Sequence, residues 1–316
     1  MPEMIAMRDA FGQALVELAE VDDRILVLDA DLATSTKTSI FQAAHPPKFL
    51  QIGIAEQNLM GIAAGLATMG FVPFPTTFAC FASKRALDQV RIVIAQPKLN
   101  VKVVGSYSGL LCGKVGKTHQ SVQDIAIMRS MPNMVVLVPG DGVEAAKAVW
   151  AAAQYDGPVY LRLTRDPSPV VFSRDYDFRI GQAVPLREGR DVTIMTTGLM
   201  VYRALEAADA LAVEGIDAHV VHVPTIKPLD EEAIIAAAAR TGLVVTAEEH
   251  SILGGLGGAV AEVLSEKSPT LVKRVGIKDM FGDTGTNEAL LEKYCLGAKH
   301  IAQACRELIL KRKSAP

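Results

Sequence analysis

The chain of 316 residues carries 32 Lys and Arg against 35 Asp and Glu, a net charge of −3, which leaves no basic surface of the kind nucleic acid needs. Half of its residues are hydrophobic, 21% are charged and 5% are aromatic, a balance that excludes a disordered chain and suits two domains of roughly 150 residues. Cys80, Cys112, Cys295 and Cys305 show no C-x-x-C pairing, so neither a zinc knuckle nor a disulfide framework is indicated, and no metal site is expected from this chain.

From the amino terminus, MPEMIAMRDAFG lacks a basic-then-apolar leader pattern, and a cytoplasmic protein is the expectation. Residues 5–20 place Ile5, Phe11, Ala14, Leu15 and Leu18 near one helical face. RILVLD (24–29) and KFLQIGI (48–54) read as strands, the second followed directly by the helical run EQNLMGIAAGLATMG. The 27 residues between Glu56 and Lys84 carry no charge and are long enough to span a bilayer, but Gly70, Pro73 and Pro75 interrupt them. Buried helix, turn, strand and helix is the better reading, with no membrane partner.

FVPF, the helical FACFASKRALDQVRIVIA and NVKVVG repeat the strand–helix–strand rhythm. MVVLVPG (134–140), a helix near 143–154 and PVYLRL (158–163) repeat it again. Residues 166–191 are turn-rich and charged and read as a linker. A second α/β run follows: DVTIMTTG, a helix around 200–214, AHVVHVP, EEAIIAAAA, GLVVTAEE, a helix after the glycines at 254–258, and a helical tail after about 297. Such alternation predicts parallel sheets covered by helices.

Ligands of open parallel sheets bind at the carboxyl ends of strands, so the residues just after each strand matter most. These are Asp29, Asp31 and Ser35, then Glu56, then Phe78 and Phe81, then the loop GSYSGLLCGKVGKTHQ (105–120) with His119, and finally Arg165. Each has a plain reading beside a chemical one. Glu56 either complements a helix N-terminus or is a buried carboxylate that needs a ligand nitrogen. His119 is structural or a proton-transfer group at the mouth of a loop with four glycines. Phe78 and Phe81 are core or a stacking surface, and Arg165 is a surface ion pair or an anion clamp. Two motifs mislead: GGLGG lacks dinucleotide spacing and suits a tight strand-to-helix turn, while Asp141 in Gly140-Asp141-Gly142 suits a helix cap.

GIAEQNLMGIAAGLA, TTFACFASKRALDQVR, GKTHQSVQDIAIMRSMPNMVVLVP and EEHSILGGLGGAV together resemble the carboxyl-terminal half of transketolase, in the form where that half is a separate subunit. The resemblance runs from about Met7 to Leu308. It implies an α/β fold with a pyrimidine-binding domain over 1–185, built on a parallel sheet that takes thiamine diphosphate, and a smaller transketolase carboxyl-terminal domain over 192–316.

By the resemblance, Glu56 hydrogen-bonds N1′ of the aminopyrimidine, Phe78 and Phe81 stack on that ring, and Asp31 lies near the cofactor. His119 contacts donor hydroxyls and assists proton transfer, and Ser35 and Arg165 hold the sugar phosphate. Mg²⁺ and the diphosphate are held mainly by an amino-terminal partner subunit, because this chain has no credible GDG…N motif. The implied assembly is a homodimer of this chain flanked by two partners. Three positions depart from the family pattern: Val115 stands where an aspartate is common, Tyr107 where a histidine is common, and Lys84 where an aromatic is frequent. The cofactor site therefore looks intact and the donor-sugar site altered. A deoxyxylulose-phosphate synthase, a 2-oxoacid dehydrogenase β subunit and a non-catalytic regulatory partner are the alternatives. EQN and GKTHQ favour transketolase over the two enzymes, and the presence of Glu56 and both phenylalanines argues against the regulatory partner.

Overall fold

The computed structural model describes residues 2–314. Met1, Ala315 and Pro316, at the ends of the two expected domains, lie outside the described residues. Seven strands form the first sheet, in the spatial order Thr225–Lys227, Val135–Leu137, Val159–Arg162, Lys102–Ser106, Val72–Phe78, Ile25–Asp29, Phe49–Gln51. All neighbours pair parallel except Thr225–Lys227, which runs antiparallel to Val135–Leu137. A second sheet orders Leu271–Ile277, Leu243–Ser251, Val192–Thr196, Ala218–His222 and Val184–Arg187, parallel but for the last pairing. The expected α/β class, with parallel-rich sheets, is therefore what forms.

Helices cover both faces of the first sheet. Met7–Val21 and Gly142–Gln154 bury Phe11, Leu15, Ala148 and Val149 against one face. On the other, Glu56–Thr68 buries Leu59, Met60 and Ala63 in a cluster that runs on into Met195, Val221 and Leu256 around the second sheet. The two sheets thus share apolar packing. Among the described residues no helix is long and apolar enough to cross a membrane.

The central strand Val72–Phe78 carries Pro73 and Pro75, which lack the N–H a ladder uses. Its register explains the tolerance. The Val72 amide donates to Arg24 O on the Ile25–Asp29 side, so the two proline nitrogens face the other neighbour. That neighbour, Lys102–Ser106, pairs only from Thr76 onward. The strand consequently extends beyond the predicted FVPF through Phe78, while KFLQIGI shortens to Phe49–Gln51.

The predicted linker at 166–191 is partly structured. Pro167–Pro169 pairs antiparallel with Met4–Ala6, and Val184–Arg187 closes the edge of the second sheet. The predicted helix after Phe78 is also not one regular α-helix. It winds as π-helix at Phe81–Arg85 and Val90–Ala95, where Ala86 N bonds Phe81 O and Gln96 N bonds Arg91 O. Such turns insert an extra residue and re-aim the side chains around them.

Candidate active site

Phe78 closes its strand and lies buried, with Phe81 three residues on at a centroid distance of 5.9 Å. Tyr107 stacks on Phe78 at 4.2 Å and 23°. His119 meets Phe78 and Phe81 edge-on at 5.8 and 5.5 Å, its Nδ1 2.9 Å from Thr118 Oγ1. Leu32 and Val115 pack on the same cluster. Three predicted site residues and two departing positions therefore share one aromatic nest.

Glu56 is the first residue of its helix and only 3% exposed. Its Oε1 accepts from Arg85 Nη1 at 3.1 Å, and the Arg85 guanidinium lies 4.7 Å over the Phe81 ring. Arg85 thereby links Glu56 to the nest. The π-turn is what carries Arg85 there, and a helix read at 3.6 residues per turn gave no hint of it.

Ser35 and Arg165 approach through Tyr107. Arg8 Nη1 donates to Ser35 O at 2.8 Å and to the Tyr107 hydroxyl at 3.1 Å. The guanidiniums of Arg8 and Arg165 stand 5.6 and 5.5 Å from the Tyr107 ring centre. Tyr107 has φ 55°, a strained backbone for a bulky residue, of the sort that clusters at functional sites. Arg8 went unread in the sequence. Its signal was there: a cation in the first turn of a helix opposes the macrodipole.

Asp31 is placed differently. It is exposed at φ 64°, its amide donating to Gln51 Oε1. The buried acid of that loop is Asp29, which accepts from Leu32 N, Thr36 Oγ1 and Thr38 Oγ1 and shapes the turn that presents Leu32 and Ser35. Burial raises the Asp29 carboxyl above its ordinary value. Lys84 is exposed and lines, with Phe81, Arg85, Lys117 and Phe281, a cavity of about 460 Å³.

Burial pushes the nearby Cys80 and Cys112 thiols up to about 11 and about 12, so both are protonated at neutral pH and neither is a nucleophile. Among the described residues no three His, Cys, Asp or Glu side chains gather as metal ligands. The donor set is instead one carboxylate, an aromatic face and an imidazole, with a pair of guanidiniums to one side. The misleading motifs resolve as helix starts. Asp141 caps Gly142–Gln154 through Glu144 N, and Glu248 accepts from Leu256 N and Gly257 N where the glycines turn into Leu256–Lys267.

Residues 3–169 match the family model of the transketolase pyrimidine binding domain, and 181–301 match that of the transketolase C-terminal domain. The chain is 46% identical over 308 residues to the 6-deoxy-6-sulfo-D-fructose transketolase subunit SqwH of Clostridium sp. (strain MSTE9), covering 98% of this chain and 95% of that one. It is 39% identical to an apulose-4-phosphate transketolase subunit of Phocaeicola vulgatus, covering 98% and 99%. Human transketolase is 37% identical across 98% of this chain and 50% of its own length. A solved split-gene transketolase, described as an inactive beta4 tetramer, superposes with TM-score 0.91 at 51% identity, covering 97% of this chain and 99% of the other. Two matched domains in order, and two bacterial subunits of 46% and 39% identity matched along nearly their whole length, lead to one conclusion: the chain belongs to the transketolase family.

Proposed function

We propose that this chain is the carboxyl-terminal subunit of a two-chain transketolase. It acts with thiamine diphosphate to move a two-carbon ketol unit from a ketose phosphate to an aldose acceptor in the cytoplasm. The observation that carries the reading is Glu56: a nearly fully buried carboxylate, one guanidinium away from the Phe81 ring, beside a nest of aromatic groups. A buried charge with a single exposed partner needs a further hydrogen-bonding group, and an aminopyrimidine supplies both a ring nitrogen for Glu56 and a face for Phe78 and Phe81.

When bound, thiamine diphosphate supplies an electron sink for carbon–carbon cleavage next to a carbonyl. This chain's residues hold and orient. Glu56 shares a proton with the aminopyrimidine N1′, and the phenylalanines fix the ring plane. His119 sits at the nest's rim, where donor hydroxyls come within reach of its imidazole. Arg8, Arg165 and Ser35 receive the terminal phosphate, whose charge matches a pair of guanidinium forks. Asp31 stays a neighbour of the cofactor loop in this reading. The Mg²⁺ and diphosphate end falls to the amino-terminal partner, since the site's own donor set suits a ring rather than a dianion with a divalent cation. The assembly is a homodimer of this chain flanked by two partner subunits.

The same guanidinium pair suits a sulfonate, and the clostridial relative is named for a sulfonated ketose, so that donor class is the second to assay. The test is calorimetry with thiamine diphosphate and Mg²⁺. Weak or no binding is expected for this chain alone and tight binding once the partner is added. Full ketol transfer by the chain alone would overturn the two-chain reading.

A further inference from the structure

The loop at 107–119 has almost no regular structure of its own, only a short turn at Gly113–Val115 and a bridge from Gly109 to Ser121. Yet Leu110, Leu111 and Cys112 within it are buried, so their amides need acceptors. Leu110 N and Leu111 N both find one at a single atom. Oε1 of Glu249, on the strand Leu243–Ser251 of the second sheet, accepts them at 2.6 and 2.5 Å.

Three further observations mark this contact as built for the loop. Gly109 has φ 79°, which turns two successive amides to one side, and a Cβ there would stand 2.4 Å from Glu249 Oε1. The Glu249 side chain makes no other hydrogen bond among the described residues: its Oε2 is buried without a partner. The fold also compensates the acid electrostatically. The positive charge of Arg162, itself buried and paired with Asp124 at 2.8 Å, favours the ionised carboxyl, and its guanidinium is held close by donating to the backbone carbonyl of Glu249 at 3.1 Å. Burial pushes the Glu249 carboxyl up to about 7, so keeping an acid here costs stability that an apolar residue would not.

We infer that Glu249 is a positioning residue for the donor-sugar loop, reaching from the second domain to fix the backbone on which Tyr107, Val115 and His119 sit. Its grip is supplemented by Gln120, whose Nε2 donates to Leu110 O at 3.1 Å and to Asp283 O at 2.9 Å. Glu56, Phe78 and Phe81 lie off the loop on their own elements and meet it through the rings of Tyr107 and His119, so Glu249 acts first on the sugar side of the nest and only second-hand on the aminopyrimidine face. The sugar assignment rests on the proposed function; the grip on the loop does not.

The experiment compares wild type, Glu249→Ala and Glu249→Gln, the last retaining one acceptor oxygen. Hydrogen exchange of the full chain is read at 107–119 and, as control, at Val192–Thr196. Glu249→Ala should speed exchange in the loop about tenfold or more and leave the control strand protected, with Glu249→Gln restoring most of the protection. Unchanged loop exchange in Glu249→Ala, or equal loss at the control strand, overturns the positioning role whatever the enzyme does. With the partner subunit present, Glu249→Ala should lose about tenfold or more in kcat/KM for the ketose donor while the affinity for thiamine diphosphate changes less than about twofold. Equal losses in both would overturn the selectivity for the sugar. A wild-type complex without any ketol transfer would refute the proposed function and leave the exchange result standing.

Discussion

Oε1 of Glu56 lies 3.1 Å from Nη1 of Arg85. The acid is buried and the base is 54% exposed, so the pair is asymmetric: Arg85 can leave for water, and Glu56 cannot. Glu56→Gln keeps the shape and removes the charge, and should lower turnover by about three orders of magnitude or more with folding intact. Arg85→Ala should cost about 1 kcal/mol of stability, because solvent screens half of the pair. Near-normal steady-state turnover of Glu56→Gln in the assembled enzyme would sink its role.

Arg8 and Arg165 flank Tyr107, and the terminal oxyanion of the donor is their proposed ligand. Arg8→Ala and Arg165→Ala should each raise KM for a phosphorylated ketose about tenfold to a hundredfold. A ketose without phosphate should show little change. Equal losses on both donor types would move these arginines from anion binding to scaffolding.

Val115 and Tyr107 pack in the nest, at positions where the family resemblance implies polar groups that read donor hydroxyls. A missing hydrogen-bonding partner shifts selectivity strongly. We expect a donor preference different from, or broader than, xylulose 5-phosphate across a panel of phosphorylated and sulfonated ketoses. A clear and exclusive preference for xylulose 5-phosphate would show the two substitutions to be harmless.

His250 joins the two sheets' halves through its ring. Nδ1 bonds Ser251 O at 2.7 Å as donor, and Nε2 accepts from Ala126 N at 3.4 Å, which is the neutral tautomer's pattern. Burial lowers its pKa from 6.5 to about 4. Between those values the unfolded chain binds the proton more readily. The stabilisation is therefore complete above pH 6.5 and lost as pH falls toward 4, by about 3 kcal/mol in all. Glu248 and Glu249, raised to about 7 by burial, act oppositely, gaining stability as pH falls from 7 toward 4.5. The Tm difference between wild type and His250→Gln isolates the histidine, and it should shrink as pH drops from 6.5 to 4. A pH-independent difference would refute the assignment.

Glu56, Phe78, Phe81, His119 and Arg165 are legible as candidates because each lies at or beyond the carboxyl end of a sheet strand, from Phe78 at the last residue of its own to His119 across a glycine-rich loop from Ser106. Arg8 and Arg85 are not. Arg8 sits ahead of every strand of the seven-stranded sheet, where the strand-end rule does not look and only its opposition to the helix dipole marks it, and Arg85 reaches Glu56 through a π-turn that hydrophobic periodicity does not register. Position after the strand marks Asp29 and Asp31 alike and only the family resemblance singles out Asp31, while burial and three hydrogen bonds belong to Asp29. Thr225–Lys227 was invisible for another reason: three residues carry no pattern, and the partner strand is distant in the chain.

That short strand has a consequence for dissection of the molecule. Thr225–Lys227 belongs to the second half of the chain and completes the edge of the first half's sheet, and Lys227 Nζ also bonds Arg129 O and Met131 O. A truncation ending near residue 185 would strip that cover and bare Val135–Leu137, three buried apolar residues with an open row of amides and carbonyls. The fragment should self-associate or precipitate, and the intact chain should melt as one calorimetric unit despite its two matched domains. Two resolved heat-capacity peaks would mean that the strap can detach while both halves persist.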